Sequence, residues 1–436
     1  MNLKIATILY AAAIIVMPIS VASKSLLGLS SVTWVDPTLV LSLAAMFMLI
    51  PRWGDFLLGE LRLITLGCFI IATTALICAF SGLLLRPATF VYSTLREPLR
   101  LWLNLNWMLI SCWFLIHKPR LVNRYSVIAI AFALSTGIYM DLVVFGLAPA
   151  PPSVVTYMRL YFLRQAIAIN GLPIPRMGGL FVEAPPFGLF MFSMLATLCV
   201  IRRNGFRTRW GIFGITLAAV GVLLSMADQV LLGALLSLLL CLPILGKGHT
   251  RFMWVITLGL AITLGAFEVR SLALKQIYSG SKIATEVNGS SIGERSFHFH
   301  YGISLLQDTP AATILGIGPG RYGEYAAETG NYPDTVNMQT SEPEILVEWG
   351  IVGSLVWLIL FSCTTIHVWR MHRILGIGLI LGLVVADSFQ ANWKYESVFL
   401  AIATLCASHT LLPLRENSNT EYLVLNKLPE VSGAEA

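Results

Sequence analysis

Long apolar stretches alternate with short polar loops along nearly the whole chain. A helix needs about 20 mostly apolar residues to cross roughly 30 Å of hydrocarbon, and about twelve stretches approach that length. They lie near 5–21, 37–51, 63–84, 101–116, 125–146, 187–201, 210–226, 229–245, 252–268, 345–366, 374–391 and 396–413. Because a spanning helix satisfies its backbone hydrogen bonds internally, the pattern predicts an all-α polytopic membrane protein.

The composition agrees with this prediction and excludes a soluble globule. Hydrophobic residues make up 56% of the chain and charged residues 12%, and the mean hydropathy is +0.77. An ordinary core cannot hide that much apolar surface. The seven cysteines all lie in predicted spans without a Cys-x-x-Cys pair, so neither a disulfide framework nor a zinc site is expected. We expect no cofactor.

The basic residues of the short loops fall on one side of the membrane if there are about twelve spans. They are Arg52, Arg62, Lys118, Arg120, Arg124, Arg202, Arg203, Arg207, Arg209, Lys247, Arg251, Arg370 and Arg373. The positive-inside rule makes that side the cytoplasm and places both termini there. Topology then explains most of the net charge of +6, so nucleic acid is not an expected partner.

Residues 1–414 are expected to form a single transmembrane domain with two long outer loops, at about 147–186 and 268–344. The tail 415–436 is rich in Glu, Asn and Ser, which predicts a mobile cytoplasmic end. A chain adapted to hydrocarbon has no need of long polar loops unless something polar is handled there. We therefore expect the functional site in or beside these loops.

The larger outer loop contains a helix and a glycine-rich turn. Residues 294–307 read as an amphipathic helix. One face carries Arg295, His298, Phe299 and Gly302. In the turn 315–321, backbone N–H groups can approach an anion and Arg321 can add charge. Glycine-rich turns usually only reverse the chain, and that alternative stays open.

The loop re-enters the membrane through a segment rich in carboxylates. Ser341 and Glu344 have the spacing of a capping box, so they are either the cap of the next helix or part of a site. The same alternatives hold for Glu342. Glu348 lies one turn further in, where an ionisable group is costly and is a functional candidate by default.

The smaller outer loop carries a second group of charges. Arg159 and Arg164 lie on a short amphipathic segment, 156–169, and Arg176 and Glu183 follow it among glycines and apolar residues. Arginines near a membrane face also contact lipid headgroups. The flanking glycines and the nearby Glu183 favour a site for Arg176.

These motifs together resemble the O-antigen ligase and Wzy-type polymerase superfamily, over roughly residues 150–370. In chain order they are Arg176-x-x-Gly179-x-Phe181-x-Glu183, Arg295 at a helix start, Pro310, Gly316-x-Gly318-Pro319-Gly320 and Glu348-x-Gly350-x-x-Gly353. The resemblance rests on their order and sidedness, since no single motif is specific.

The resemblance implies a GT-C-like helical fold in the bacterial inner membrane, with the outer loops in the periplasm. It implies a metal-independent inverting glycosyltransferase that transfers glycan from an undecaprenyl-pyrophosphate carrier. The partners would be that lipid-linked oligosaccharide, the bilayer, and a chain-length regulator and flippase. The outer loops contain no Asp-x-Asp pair, in agreement with metal-independent chemistry.

Such a reaction needs cations for the leaving pyrophosphate and a base for the acceptor hydroxyl. The candidate pyrophosphate ligands are Arg176, Arg295 and Arg321, followed by Arg164 and Arg270. The candidate bases are Glu342 first, then Glu344, Glu183 and His298. Glu183 also counts among the substrate-binding candidates.

The chain departs from the superfamily at two places. Ligases usually carry a His-Asn pair where this sequence has Gln339 and Thr340, and a Ser-Arg pair where residues 224–228 have no arginine. These departures favour a polysaccharide polymerase. The alternatives are a ligase that hands finished polymer to another acceptor and a glycolipid transporter. A transporter would be expected to have an internal repeat, and none is visible.

Overall fold

The computed structural model describes the following residues, to which every statement below is confined. They are 2–19, 36–59, 61–85, 91–144, 146–150, 167–169, 172–174, 177–178, 181, 184–203, 205–206, 208–241, 294–307, 310–327, 341–372, 374–388 and 396–411. The helices are α1 (Asn2–Val16), α2 (Pro37–Met48), α3 (Trp53–Leu57), α4 (Arg62–Leu85), α5 (Val91–His117), α6 (Pro119–Val144), α7 (Ala184–Arg203), α8 (Arg209–Ser225), α9 (Asp228–Cys241), α10 (Glu294–Gln307), α11 (Pro310–Leu315), α12 (Tyr322–Ala327), α13 (Ser341–His372), α14 (Ile374–Ser388) and α15 (Glu396–Leu411).

A helix occupies every predicted span except 252–268, which lies outside the described residues. Within the described part of the chain, six helices are long and apolar enough to cross a membrane, or seven if α2 and the bent segment after it form one span. The helical membrane protein expected from the sequence is therefore confirmed at this level. The described residues also include a short antiparallel hairpin of β1 (Ile167–Ile169) and β2 (Leu172–Ile174).

Helices α5 and α7 are the most buried of the helices long enough to cross a membrane. In their most apolar windows, 83% of α7 and 78% of α5 is buried, against 28% of α13. Aromatic rings tie α5 to α1, since Tyr10 stacks on Phe114 with centroids 4.0 Å apart. Trp107 of α5 donates its indole N–H to the carbonyl of Glu396 at 2.9 Å, which joins α5 to α15.

Hydrogen bonds between helix boundaries define two chemically different ends of the bundle. At one end, here named the basic end, Lys118 between α5 and α6 donates to Thr7 of α1 at 2.7 Å. Asn123 of α6 donates to Thr208 before α8 at 2.8 Å at the same end. Arg52, Arg62, Lys118, Arg120, Arg124, Arg202, Arg203, Arg209 and Arg370 lie at helix boundaries of this end.

The opposite end, here named the site end, is where α4 ends and α5 and α13 begin. The smaller outer loop also reaches it, because the N–H of Met177 donates to the carbonyl of Leu224 near the end of α8, at 3.1 Å. Phe181 packs on Phe187 of α7. Met177, Phe181 and the glycine turn 315–321 thus share one end of the bundle.

Candidate functional site

Helix α13 is broken at Gly350. This residue has φ 64° and ψ −167°, which lies outside helical geometry. The glycine turn packs into the break, and a side chain at Gly350 would overlap the backbone of Gly316 and Ile314. Only a residue without Cβ accepts both this conformation and this approach. Gly350 therefore allows the turn to dock against the start of α13.

The break is stabilised by hydrogen bonds from the turn to the helix backbone. Ile317 N–H donates to the carbonyl of Val347 and Gly318 N–H to the carbonyl of Glu348, each at 3.0 Å. Apolar contacts add to these bonds, because Ile317 and Val347 share a small core with residues of α10, α11 and α12. The turn and the first part of α13 form one packed unit.

Glu348 anchors the turn with its side chain as well. Its carboxylate accepts the N–H of Gly320 at 2.7 Å and the N–H of Tyr322 at 3.3 Å. The side chain is buried, and backbone N–H groups at a helix start are good partners for a buried carboxylate. Glu348, a functional candidate because of its depth in the membrane, thus anchors the glycine turn in this conformation.

In this conformation the glycine turn offers no backbone N–H group to an anion. Every backbone N–H from residue 316 to 322 is bonded within the protein. The acceptors are the carbonyls of Ala312, Val347, Glu348 and Gly318 and the carboxylate of Glu348, and Pro319 has no N–H. The position that a substrate anion would take is occupied by Glu348.

Arg321 is buried and bonded to protein groups. Its Nε and Nη2 donate to Glu324 at 3.1 Å, and its Nη1 donates to the carbonyl of Gly82 near the end of α4, at 2.5 Å. The guanidinium also lies 5.7 Å from the ring centroid of Tyr325. Arg321 thus joins the turn to α4, and a pyrophosphate contact would require it to leave these partners.

His298 is buried in the contact between α10 and α12. Its Nδ1 lies 2.7 Å from the hydroxyl of Tyr322, and that hydroxyl donates to the carbonyl of His298 at 3.3 Å. The tautomer of the ring decides whether Nδ1 or the hydroxyl donates in the shorter contact. Phe299, predicted on the same face, is instead exposed. A ring without exposed surface does not reach an acceptor hydroxyl in this conformation.

In the re-entry segment the structure describes the side chain of Glu344 but not that of Glu342. Helix α13 begins at Ser341, and Glu344 is buried in its first turns. The backbone of Glu342 lies in the same helix, but its side chain is outside the described residues. The choice between base and helix cap therefore stays a prediction for Glu342.

The remaining predicted residues fall largely outside the described part of the chain. The backbone of Arg295 lies in the first turn of α10, while its side chain lies outside the described residues. Arg164, Arg176, Glu183 and Arg270 lie outside the described residues. Their roles stay predictions, and the placement of Met177 is the nearest structural observation for Arg176.

Sequence reasoning missed two charged residues of α5. Glu97 is buried against the glycine turn, where a side chain at Gly320 would overlap it. Arg96 donates to Glu97 Oε1 from Nε at 3.2 Å and from Nη2 at 3.1 Å. The sequence places both in an outer loop because the apolar run starts later, whereas α5 begins at Val91. The sequence contains one signal that the helix starts earlier, because charged residues at helical spacing precede the apolar run.

A second charged cluster lies on the next turn of α5. Arg100 is 3.5 Å from the carboxylate of Asp36 at the start of α2, and Asp36 lies next to Glu396 at the start of α15. Both acids are buried. Among the described residues, no group of His, Cys, Asp and Glu has the arrangement of a metal site.

The chain matches no family model and no curated protein. Its function is therefore argued from the motifs and the geometry above.

Proposed function

We propose that this protein is a bacterial polysaccharide polymerase of the Wzy type. It transfers glycan from an undecaprenyl-pyrophosphate carrier to a lipid-linked acceptor repeat at the periplasmic face of the inner membrane. One observation supports this most. Segments far apart in sequence that carry the resemblance, the glycine turn and the Glu348-x-Gly350-x-x-Gly353 motif, dock on each other at the site end.

The distribution of charge supports the proposed orientation. Arginines and lysines gather at the helix boundaries of the basic end, and the positive-inside rule assigns that end to the cytoplasm. The site end then faces the periplasm, where lipid-linked repeat units are joined. Met177 lies at the same end, which supports a shared site for the two outer loops.

The reaction is an inverting displacement at the anomeric carbon of the donor. The acceptor hydroxyl forms the new C–O bond while the bond to the pyrophosphate oxygen breaks, and a carboxylate takes the hydroxyl proton. Arginines stabilise the charge that grows on the leaving pyrophosphate. Because Arg321 is occupied by Glu324 and Gly82 in this conformation, Arg176 and Arg295 are the primary candidates, and Glu342 is the first candidate base.

The decisive experiment uses the purified full-length protein in nanodiscs with one synthetic undecaprenyl-pyrophosphate-linked repeat unit. A polymerase lengthens this substrate without any other acceptor, giving a ladder of products on a gel. A ligase leaves it unchanged until a second acceptor is added, and a transporter moves it between leaflets without making a new bond. The absence of a ladder with fully folded protein contradicts the proposal.

The pyrophosphate assignment has its own test. Arg176→Ala and Arg295→Ala are each expected to reduce polymer yield, whereas Arg52→Ala at the basic end is not. If both variants made polymer of normal length and amount, the two arginines would be removed from the site.

A further inference from the structure

Helix α5 is buried along most of its length but opens at the site end. From Leu103 to Leu115 every side chain is buried. In the preceding turns, Leu95, Leu99 and Trp102 are exposed by 38%, 38% and 46%. Their spacing of four and three residues puts them on one face, here named the α5 stripe. An exposed apolar face on a central helix differs from the general lipid contact of a peripheral helix such as α4.

Arg96 follows Leu95, the outermost residue of the α5 stripe. Its side chain is 41% exposed, while its carboxylate partner Glu97 is buried. Nε and Nη2 point to one oxygen of Glu97, and among the described residues none bonds to Nη1. The guanidinium thus keeps donors for a ligand, and arginine suits phosphate oxygens because of its planar fork of donors.

Glu97 holds Arg96 next to the proposed site. The Glu97 side chain packs on Gly320, whose N–H is bonded to Glu348. The guanidinium is therefore oriented by a carboxylate that the glycine turn itself keeps in position. Such preorganisation reduces the ordering cost of binding.

The Arg96 guanidinium and the α5 stripe together match one class of ligand. A fixed cation at the end of an apolar stripe is complementary to a lipid with an anionic head and a long hydrocarbon tail. We propose that Arg96 is a further pyrophosphate-binding residue and that the α5 stripe contacts the first isoprene units of undecaprenyl pyrophosphate. This inference rests on the proposed function, and it assigns a residue and a surface to the carrier lipid.

The test measures binding of undecaprenyl pyrophosphate to the full-length protein in nanodiscs. Arg96→Ala is expected to weaken the affinity about tenfold or more, as for loss of hydrogen bonds to a charged group. Arg96→Lys keeps the charge without the fork and should recover part of the affinity. Arg52→Ala, which removes an exposed arginine from the basic end, should leave the affinity unchanged.

The tail contact is tested separately from the head contact. Trp102→Ser and Leu99→Ser are expected to weaken undecaprenyl pyrophosphate but not inorganic pyrophosphate. Arg96→Ala is expected to weaken both. Competition with phosphatidylglycerol separates the carrier from an ordinary headgroup, because the carrier should resist displacement at equal concentration.

The outcomes separate this inference from the proposed function. If wild-type protein does not bind undecaprenyl pyrophosphate, both are overturned. If wild type binds it and Arg96→Ala binds equally well, only the Arg96 assignment is overturned, as it is if phosphatidylglycerol competes equally. Should Arg96→Ala misfold because Glu97 loses its partner, the double variant Arg96→Ala with Glu97→Gln removes the buried charge. Its affinity then decides between the two results.

Discussion

The carboxylate of Glu348 accepts the backbone N–H of Gly320 at a distance of 2.7 Å. This bond joins the re-entry helix to a glycine turn that precedes it in the chain by a long segment. The carboxylate thereby takes the place that the turn could otherwise offer to an anion. The glycines of the turn allow close packing. The cations proposed to bind pyrophosphate therefore lie on neighbouring segments.

Replacing Glu348 by alanine should destabilise the protein. Two N–H groups at the start of α12 lose their acceptor, and each such loss costs about 1–3 kcal/mol. We expect a total loss of about 3 kcal/mol and a lower thermal unfolding midpoint in detergent. Glu348→Gln should lose less, because its amide oxygen still accepts a bond. Equal midpoints for wild type and Glu348→Ala would contradict the anchoring role.

The break at Gly350 offers a second prediction with a matched control. Gly350→Ala forces a Cβ into the backbone of Gly316 at a positive φ, and strain of this kind alone costs about 1–3 kcal/mol. Gly54→Ala in α3 meets nothing within 4 Å and should be neutral or slightly stabilising. Unfolding midpoints of the two variants are compared, and a Gly350→Ala protein as stable as Gly54→Ala would exclude the docked turn.

The sequence predicted the helices well because the length of an apolar run is a local property. The start of α5 was placed too late, since its first turns carry Arg96, Glu97 and Arg100, and charges end an apolar run without ending a helix. The pattern therefore predicts an outer loop for this segment. Helical spacing of those charges was the only local signal of the true boundary.

The site was less predictable because its bonds join distant residues. The break in α13 depends on donors at Ile317 and Gly318, and nothing near Gly350 identifies them. The sequence predicts Arg321 at a substrate because it follows a glycine-rich turn whose N–H groups can approach an anion. Its acceptor, the carbonyl of Gly82, is a backbone atom in another helix, and sequence patterns carry no record of such an acceptor.

In the cluster of Arg100, Asp36 and Glu396, removing the cation should cost more stability than removing the charge of Glu396. Removing the cation from a buried ion pair costs about 3–5 kcal/mol, so Arg100→Ala is expected to lower stability by that amount. Two buried carboxylates next to each other are costly when both are charged. Glu396→Gln removes one of these charges and should cost less than about 1 kcal/mol.

A double-mutant cycle checks the cluster. The pair Arg100→Ala and Asp36→Asn should be less destabilising than the sum of the single changes, because the second change removes the charge left unpaired by the first. Unfolding midpoints or denaturant titrations supply the four values. Strict additivity would place Arg100 outside the cluster.

The contact between His298 and Tyr322 gives a prediction about activity as well as stability. Tyr322→Phe removes the hydroxyl that contacts both Nδ1 and the carbonyl of His298, and we expect a loss of about 1–2 kcal/mol. If His298 only packs α10 on α12, His298→Phe should retain most polymer formation at a temperature where it is folded. A folded but inactive His298→Phe protein would restore the histidine as a candidate base.

Glu342 and Glu344 should separate catalysis from helix formation. Glu344 is buried in the first turns of α13, so Glu344→Gln should alter the unfolding midpoint more than the turnover of the folded protein. Glu342→Gln should do the opposite, because loss of a general base lowers turnover by about 10²–10⁴-fold without removing packing. Both are measured on purified protein with one lipid-linked repeat unit, as initial rates beside unfolding midpoints. Normal turnover of Glu342→Gln would show that another residue is the base. If its unfolding midpoint is also lowered, Glu342 is assigned to the cap of α13.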